Sequence, residues 1–178
     1  MPSRPEIEVL FTADEIASRI DALATEIAAA DPGDLLVVVI LKGSFVFAAD
    51  LIRALERAGV SPQVDFITLA SYGEGTESRG RVTLVHDLSE NVAGRRLLVV
   101  DDILDSGHTL AVARDTLRER GAEEVKTCVL LDKEDARRVA IEADYVGFRI
   151  GNRFVIGYGL DLAHRFRGLS YIGFVNED

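Results

Sequence analysis

The sequence predicts an α/β protein with a mostly parallel, twisted sheet flanked by helices, and three observations lead to that class. Short apolar runs rich in β-branched residues recur along the 178-residue chain, and such runs are typical of strands buried on both faces. Segments of helical periodicity separate these runs. The strands therefore alternate with helices, and such crossovers make neighbouring strands parallel. The length fits a single domain, residues 1–178.

The first elements are predicted from a capping pattern and an apolar run. The tetrapeptide TADE, which begins at Thr12, matches a capping box in which Thr12 and Glu15 satisfy each other's backbone amides. It predicts a helix that continues to about Ala30. The run LLVVVIL, residues 35–41, predicts a strand buried on both faces, and the helical pattern after it continues to about Ala58.

The remaining elements follow the same alternation. A third helix is predicted from about His108 to Arg120 and ends at Gly121, since Leu110 and Leu117 fall on one apolar face. A polar, glycine-containing loop, GEGTESRGR, follows the strand after the second helix. The further strands are predicted at residues 63–72, 81–87, 95–102, 124–132, 145–150 and 154–160.

Composition excludes several classes of protein. The longest apolar run is far shorter than the ~20 residues of a membrane-spanning helix, and the N-terminus lacks the pattern of a secretory signal. We therefore expect a cytoplasmic protein without membrane contact. A net charge of −10 argues against nucleic acid as a partner. The one cysteine, Cys128, is expected to be a buried strand residue, and His86, His108 and His164 lack metal-ligand spacing.

The most informative stretch is VVDDILDSGHTL, residues 99–110, where an apolar strand leads into three acids and then into a helix. Ligands of parallel sheets bind at the carboxyl ends of strands. Backbone amides from Asp105 to Thr109 at a helix start form a cradle for a phosphate monoester, and Gly107 permits its close approach. Asp101 and Asp102 can accept hydrogen bonds from two neighbouring hydroxyls. Diol and phosphate together indicate a ribose 5-phosphate.

Other readings of this stretch are weaker. The chain has neither the Gly-Lys-Ser/Thr of a Walker loop nor the Gly-x-Gly-x-x-Gly of a dinucleotide site at this position. Acids and a glycine after a strand also occur as plain helix caps, because Asp, Ser and Gly are the residues that turns use. The combination of all of them in one string favours a binding site.

This string resembles the phosphoribosyl pyrophosphate (PRPP) signature of the type I phosphoribosyltransferases. Further stretches resemble the hypoxanthine-guanine (6-oxopurine) members of that family in order and spacing: ILKGSFVFAADL (40–51), SYGEGTESRG (71–80), LLDKEDAR (130–137) and NRFVIGYGLDLAHRFRGLSYIG (152–173). The resemblance implies a small hood formed by the N- and C-terminal segments. It also implies transfer of the phosphoribosyl group from PRPP to hypoxanthine or guanine, with Mg²⁺, in a homo-oligomer, a dimer or tetramer.

The resemblance assigns roles to particular residues. PRPP is expected to bind to Asp101, Asp102, Asp105, Ser106, Gly107, His108 and Thr109. Pyrophosphate is expected at Lys42, Gly43 and Arg167, and the purine at Lys133, Phe154, Val155 and Asp161. Ser71 and Tyr72 belong to a mobile lid in the family, although a plain surface loop has the same composition. Mg²⁺ is expected at Asp101, Asp102 and Asp161.

Three of these roles have chemical consequences. Asp105 is the expected proton acceptor for the purine, with a helix N-cap as the alternative. Lys133 is expected to donate to the purine O6, which favours 6-oxopurines over adenine. Phe154 is expected to stack on the purine, with a plain core position as the alternative. In this family the Lys42–Gly43 peptide bond is also expected to be able to adopt the cis form.

Two other functions stay open from the sequence. One is a phosphoribosyltransferase that prefers xanthine or guanine. The other is a regulator that senses PRPP, which would leave Asp105 and Lys133 without a purpose and lacks a visible nucleic-acid-binding region.

Overall fold

The computed structural model describes residues 6–72 and 81–175 and confirms the α/β class. The helices are α1 (Ala13–Ala29), α2 (Phe45–Arg57) and α3 (His108–Glu119). The strands are β1 (Ile7–Phe11), β2 (Leu35–Leu41), β3 (Gln63–Tyr72), β4 (Arg81–His86), β5 (Arg96–Leu104), β6 (Glu124–Asp132), β7 (Tyr145–Arg149), β8 (Val155–Ile156) and β9 (Ile172–Val175). A short 3₁₀ turn, Glu134–Ala136, follows β6.

Six strands form the main sheet in the order β4-β3-β2-β5-β6-β7. The pairs β2 with β3, β2 with β5, β5 with β6 and β6 with β7 are parallel. Among the described strands of this sheet, only the edge strand β4 is antiparallel to its neighbour, β3. The predicted, mostly parallel sheet is therefore confirmed, and β2, β5 and β6 lie next to one another in its middle.

Both faces of the main sheet are covered. Alternate residues of β2 enter opposite cores: Val37 and Val39 pack with α1 and α2, whereas Val38 and Ile40 pack with α3. Each fully buried side chain of this kind contributes roughly 1.5–3 kcal/mol to the free energy of unfolding. Cys128 in β6 is fully buried as expected, and burial raises the pKa of its thiol far above the usual value. Because helices pack on both faces of the main sheet, the ends of its central strands have fixed positions.

The predicted hood is a separate three-stranded sheet. Its strand order is β1-β9-β8, with both pairs antiparallel, so it joins the N-terminal segment to the C-terminal one. Of these strands the sequence pattern predicted only the one that contains β8. β1 and β9 are short and lie more than 150 residues apart in the chain, so local patterns do not reveal that they pair.

Most element boundaries follow the local signals, but the strand predicted at residues 154–160 is only β8, Val155–Ile156. Thr12 caps α1 through the predicted capping box with Glu15. β3 and β6 have the predicted limits. β5 differs, because it continues to Leu104, two residues beyond the predicted end. No helix within the described residues is long and apolar enough to cross a membrane.

Candidate active site

The site lies where three parallel strands end. Lys42 and Gly43 follow β2, the acids Asp101 and Asp102 lie near the end of β5, and Lys133 follows β6. Because these strands are adjacent and parallel, their carboxyl ends share one edge of the sheet. A cavity of about 430 Å³ opens at this edge. The predicted residues in its lining are Lys42, Gly43, Asp101, Asp102, Asp105, Ser106, Gly107 and Thr109.

The acid pair lies within β5, which ends two residues beyond the predicted limit. Asp101 is 7% exposed, and its Oδ1 accepts the Asp102 amide at 3.0 Å. Asp102 Oδ1 accepts the Ile103 amide at 2.9 Å. Burial raises the pKa of both carboxyls, and the neighbouring Asp102 raises that of Asp101 further. The pair therefore lies where hydroxyl donors or a cation would stabilise its ionised form.

The segment from Asp105 to Thr109, here called the phosphate loop, connects β5 to α3. α3 begins at His108, and its N-cap is Gly107, which has a left-handed φ of 90°. Asp105 is therefore not the N-cap, and that alternative is wrong. The amides of Asp105, Ser106 and Gly107 donate to no acceptor among the described residues. His108 is outside the cavity lining formed by those residues, so its backbone amide at the helix start remains its predicted contribution.

Asp105 and Lys133 meet across the end of the sheet. Lys133 Nζ lies 3.5 Å from Asp105 Oδ2, although the residues are 28 positions apart. The Lys133 amide also donates to the Leu104 carbonyl at 2.9 Å, which holds the residue to the end of β5. The Lys133 side chain is 7% exposed and that of Asp105 is 51% exposed. A buried cation thus lies beside a solvent-accessible carboxylate.

The Lys42–Gly43 loop packs directly on the acid pair. A Cβ added at Gly43 would overlap the carboxylate of Asp102, so any larger residue would displace that carboxylate. Ser44, fully buried, donates its hydroxyl to the Ile40 carbonyl. A cis peptide bond is present, but it joins Leu41 to Lys42. The expectation that placed it between Lys42 and Gly43 was therefore one bond too late.

Asp161 and Arg167 belong to a turn of residues 157–167, here called the hood turn. Arg167 Nη2 lies 2.8 Å from Asp161 Oδ1, and its Nη1 donates to the Gly159 carbonyl at 2.7 Å. Arg167 also lowers the pKa of Asp102, against the larger effect of burial. A Cβ on Gly159 would overlap the Gly43 carbonyl. The hood turn therefore touches the Lys42–Gly43 loop and extends its positive charge toward the acid pair.

The remaining predicted site residues lie at β8 and at the end of β3. Phe154 precedes β8 and is 50% exposed, so the alternative of a core position is wrong. Val155 is buried and pairs with β9. Ser71 and Tyr72 end β3, and the rest of the predicted lid, residues 73–80, lies outside the described residues. His86 and His164 are exposed, as expected.

The acid pair fits Mg²⁺ only with help from a substrate. Carboxylate oxygens are the ligands that Mg²⁺ prefers, but it usually takes one or two of them and completes its shell with water and substrate phosphates. No group of three or more possible ligands occurs within residues 6–72 and 81–175. Asp161 already binds Arg167 through Oδ1 and the His164 amide through Oδ2. Asp101 and Asp102 would hold the ion, and Asp161 would act through water.

Some features of the site were not predicted. Ile103 and Leu69 supply apolar lining of the cavity, and the alternation of a buried strand could have indicated Ile103. A larger cavity of about 640 Å³ contains Arg137 and Arg149 and none of the predicted residues. Its charged groups are mixed in sign and largely paired with one another. The smaller cavity, which the predicted residues line, is therefore the candidate active site.

A parallel sheet that ends in an acid pair, a loop with unpartnered amides and a buried lysine defines a class of sugar-phosphate-binding α/β proteins. The chain also matches the family model described as a phosphoribosyl transferase domain over residues 8–162. The chain belongs to the phosphoribosyltransferase family.

Within this family the chain is similar to enzymes that act on 6-oxopurines. It is 42% identical to the Escherichia coli hypoxanthine phosphoribosyltransferase over 94% of each chain. It is 39% identical to the solved hypoxanthine-guanine phosphoribosyltransferase of Bacillus anthracis, with a TM-score of 0.89 over 96% of this chain and all of that one. The bifunctional TilS/HprT protein of Listeria innocua is 45% identical over 96% of this chain, which spans only 26% of that relative.

Proposed function

We propose that the protein transfers the 5-phosphoribosyl group of PRPP to hypoxanthine, and to guanine, giving the nucleotide and pyrophosphate in purine salvage. One observation carries the proposal: the acid pair and the unpartnered amides of the phosphate loop line one cavity, with Lys133 contacting Asp105 beside it. Diol, phosphate and base are the three parts of the product nucleotide. The similarity to named 6-oxopurine enzymes supports the same function.

The ribose 5-phosphate would be held by the two ends of one short segment. Asp101 and Asp102 accept hydrogen bonds from the ribose hydroxyls, and their charge favours the oxocarbenium character that C1′ develops as its bond to pyrophosphate oxygen breaks. The phosphate loop receives the 5′-phosphate on its amides, aided by the hydroxyls of Ser106 and Thr109. Both ends line the same cavity, which supports a single ligand that spans them.

The purine would be recognised by Lys133 and deprotonated by Asp105. As the ring nitrogen forms its bond to C1′, the proton of the purine passes to the Asp105 carboxylate. Lys133 donates to the O6 atom, and an adenine amino group would meet this donor with another donor. The half-exposed ring of Phe154 is available to stack on the base. The Lys133–Asp105 contact of 3.5 Å supports a joint role, since one residue neutralises the charge of the other before substrate binds.

Pyrophosphate would leave toward the Lys42–Gly43 loop and Arg167. These groups are cationic or present backbone amides, and they lie beside Asp102. Bound Mg²⁺ would screen the charge of the leaving pyrophosphate. The chain's own part is to orient the leaving group: Arg167 is fixed by Asp161 and by the Gly159 carbonyl before the substrate arrives.

The decisive experiment is a base panel. The purified protein is incubated with PRPP and Mg²⁺, and hypoxanthine, guanine, xanthine, adenine and uracil are offered separately. We expect turnover of hypoxanthine and guanine, abolished by a chelator. Turnover of xanthine alone would replace the proposal by the xanthine-preferring alternative, and turnover of adenine or uracil alone would contradict it.

The cytoplasmic location and the homo-oligomeric state, a dimer or tetramer, are part of the same proposal and rest on family resemblance. Light scattering of the purified protein at micromolar concentration measures the mass directly. A monomer of 19.4 kDa would contradict the proposed oligomer without affecting the proposed reaction.

A further inference from the structure

Arg137 contacts the start of the phosphate loop through backbone carbonyls. Its Nη1 donates to two successive carbonyls, that of Leu104 at 3.0 Å and that of Asp105 at 2.7 Å. Its Nη2 pairs with the carboxylate of Asp132. Both side chains of that pair are largely buried, at 16% and 6% exposure. The guanidinium therefore lies fixed between the end of β6 and the phosphate loop.

The residues after Arg137 continue this support. The amides of Arg138 and Val139 donate to the Ser106 carbonyl at 2.9 and 3.1 Å. A Cβ added at Gly107 would lie 2.7 Å from Ile141 Cγ2 and 3.2 Å from Arg137 Cδ, so the loop packs closely on this segment. Three successive carbonyls of the loop region thus bind to the segment of residues 137–139.

Holding these carbonyls fixes the direction of the amides that follow. In a planar trans peptide the C=O of one residue and the N–H of the next point in opposite directions. With the carbonyls of Leu104, Asp105 and Ser106 held by the 137–139 segment, the next three amides point away from it. Those are the amides of residues 105–107, the same three that have no acceptor among the described residues. The three residues that carry these amides line the 430 Å³ cavity.

Arginine is suited to this task because its guanidinium is planar and presents several donors at fixed angles. Hydrogen bonds from a charged donor are stronger than neutral ones. A lysine can keep the ion pair with Asp132, but its single ammonium cannot also reach both carbonyls with the geometry of a planar fork. The residue type at position 137 is therefore expected to matter beyond its charge.

We propose that Arg137 is a positioning residue, which orients the amides of the phosphate loop toward the 5′-phosphate and ties this loop to the base-binding Lys133 through Asp132. The inference rests on the proposed function and deepens it. Arg137 touches no substrate in this scheme. Its contribution is to keep three amides aimed at the phosphate before the ligand binds, so that their reorientation does not weaken binding.

The test compares two ligands that bind at opposite ends of the site. Inosine 5′-monophosphate uses the phosphate loop, whereas pyrophosphate with Mg²⁺ uses the Lys42–Gly43 loop and Arg167. In Arg137→Lys we expect the affinity for the nucleotide to fall about tenfold or more, since two charge-assisted hydrogen bonds are lost. The affinity for pyrophosphate should stay within about twofold, the scatter expected for an uncoupled site. Isothermal titration calorimetry measures both.

The matched control is Arg138→Lys. Arg138 is the adjacent arginine, and its exposed side chain makes no hydrogen bond or ion pair with the rest of the described chain. It should bind both ligands as the wild type does. A second variant, Arg137→Gln with Asp132→Asn, removes both charges together and leaves no buried carboxylate unpaired, so that loss of folding does not confuse the result.

The outcomes separate the inference from the proposed function. A wild-type protein that binds neither ligand would contradict the proposed function itself. If the wild type binds both, and either Arg137 variant binds the nucleotide as tightly as the wild type, the positioning role is wrong. An equal loss of affinity for both ligands, with a parallel fall in thermal midpoint, would indicate a general structural role and would also overturn the inference.

Discussion

Two segments supply most of the charged groups of the site, and they are built differently. The strand-end segment, residues 101–109, continues a central strand buried in the sheet and leads into α3. The hood turn, residues 157–167, contains only isolated bridges, and four of its non-glycine residues have positive φ: Tyr158, Ala163, His164 and Phe166. Such backbone is strained and persists only where surrounding contacts hold it.

The contacts that hold the hood turn come from distant parts of the chain. Tyr158 donates its hydroxyl to Asp50 of α2, and Gly159 packs on the Gly43 carbonyl. The strand-end segment depends less on such contacts, because the sheet already fixes it. Substitutions in the strand-end segment should therefore change the rate of the chemical step, whereas those in the hood turn should change stability and pyrophosphate binding together.

The largest effect is expected from Asp105→Asn in the strand-end segment. This change keeps the shape of the side chain but removes its ability to accept a proton. General acid–base catalysis typically contributes 10²–10⁴-fold, so the single-turnover rate with hypoxanthine should fall by about that factor while the affinity for PRPP changes little. Rapid-quench kinetics and a PRPP titration measure the two quantities.

Asp115→Asn is the matched control for this prediction. Asp115 is an exposed residue of α3 that pairs with its neighbour Arg114, so its loss should leave the rate unchanged. Near-normal chemistry in Asp105→Asn, or a loss of PRPP binding as its main defect, would assign Asp105 to the structure of the loop.

A second effect should appear in the hood turn with Gly159→Ala. The added methyl group would overlap the Gly43 carbonyl, at a backbone φ of 99° that favours glycine. We expect the free energy of unfolding to fall by about 2–4 kcal/mol and pyrophosphate binding to weaken at the same time. Gly168→Ala is the control, since a methyl group there meets no atom within 4 Å. Urea denaturation measures the stability, and calorimetry measures the binding of pyrophosphate. Unchanged pyrophosphate binding in a destabilised variant would contradict the expected link between the two in the hood turn.

The same contrast explains how much the sequence could predict. The acids and the phosphate loop are consecutive in the chain, so their strand-end position and their share of the cavity lining were predicted from residues 99–110 alone. Lys133, Asp161 and Arg167 came from family resemblance, since nothing local indicates that they meet the loop. Arg137 and Tyr158 were not predicted, because their roles depend on contacts between residues more than 30 positions apart.

A third prediction concerns the buried acid pair and pH. Burial raises the pKa of Asp101, so the folded state holds the proton more tightly than the unfolded state. The free energy of unfolding should therefore fall as pH rises from the unfolded pKa of about 4 through the raised folded pKa. Asp101→Asn lacks this titration. In the presence of a chelator, the free energy of unfolding of Asp101→Asn should exceed that of the wild type by about 1–2 kcal/mol at neutral pH and equal it at pH 4. The variant should also bind PRPP less tightly.

Asp87→Asn is a control that should change the free energy of unfolding at neutral pH in the opposite direction. The Arg120 guanidinium lowers the pKa of Asp87, so that carboxylate stabilises the fold above the unfolded pKa and the stabilisation is lost as pH falls. Asp87→Asn should therefore lower stability at neutral pH. Urea denaturation between pH 4 and pH 8 measures both variants, and a stability difference for Asp101→Asn that does not grow with pH would contradict the raised pKa.

The smallest effect is expected from Tyr158→Phe in the hood turn. The ring would stay in place, but the hydrogen bond to Asp50 would be lost, which should lower the free energy of unfolding by about 1 kcal/mol. Asp50 keeps its ion pair with Arg53. Tyr145→Phe is the control, since the Tyr145 hydroxyl bonds to no other described residue. Equal stability changes in the two variants would show that the bond to α2 does not hold the hood turn.

The different roles of the strand-end segment and the hood turn can be tested most directly by a crystal structure of the protein with inosine 5′-monophosphate, pyrophosphate and Mg²⁺. The proposed function predicts the 5′-phosphate within hydrogen-bonding distance of the amides of the phosphate loop, the purine O6 at Lys133 Nζ, and pyrophosphate between the Lys42–Gly43 loop and Arg167. A nucleotide phosphate bound elsewhere, for example beside Arg149 in the 640 Å³ cavity, or a purine out of reach of Lys133 and Asp105, would contradict it.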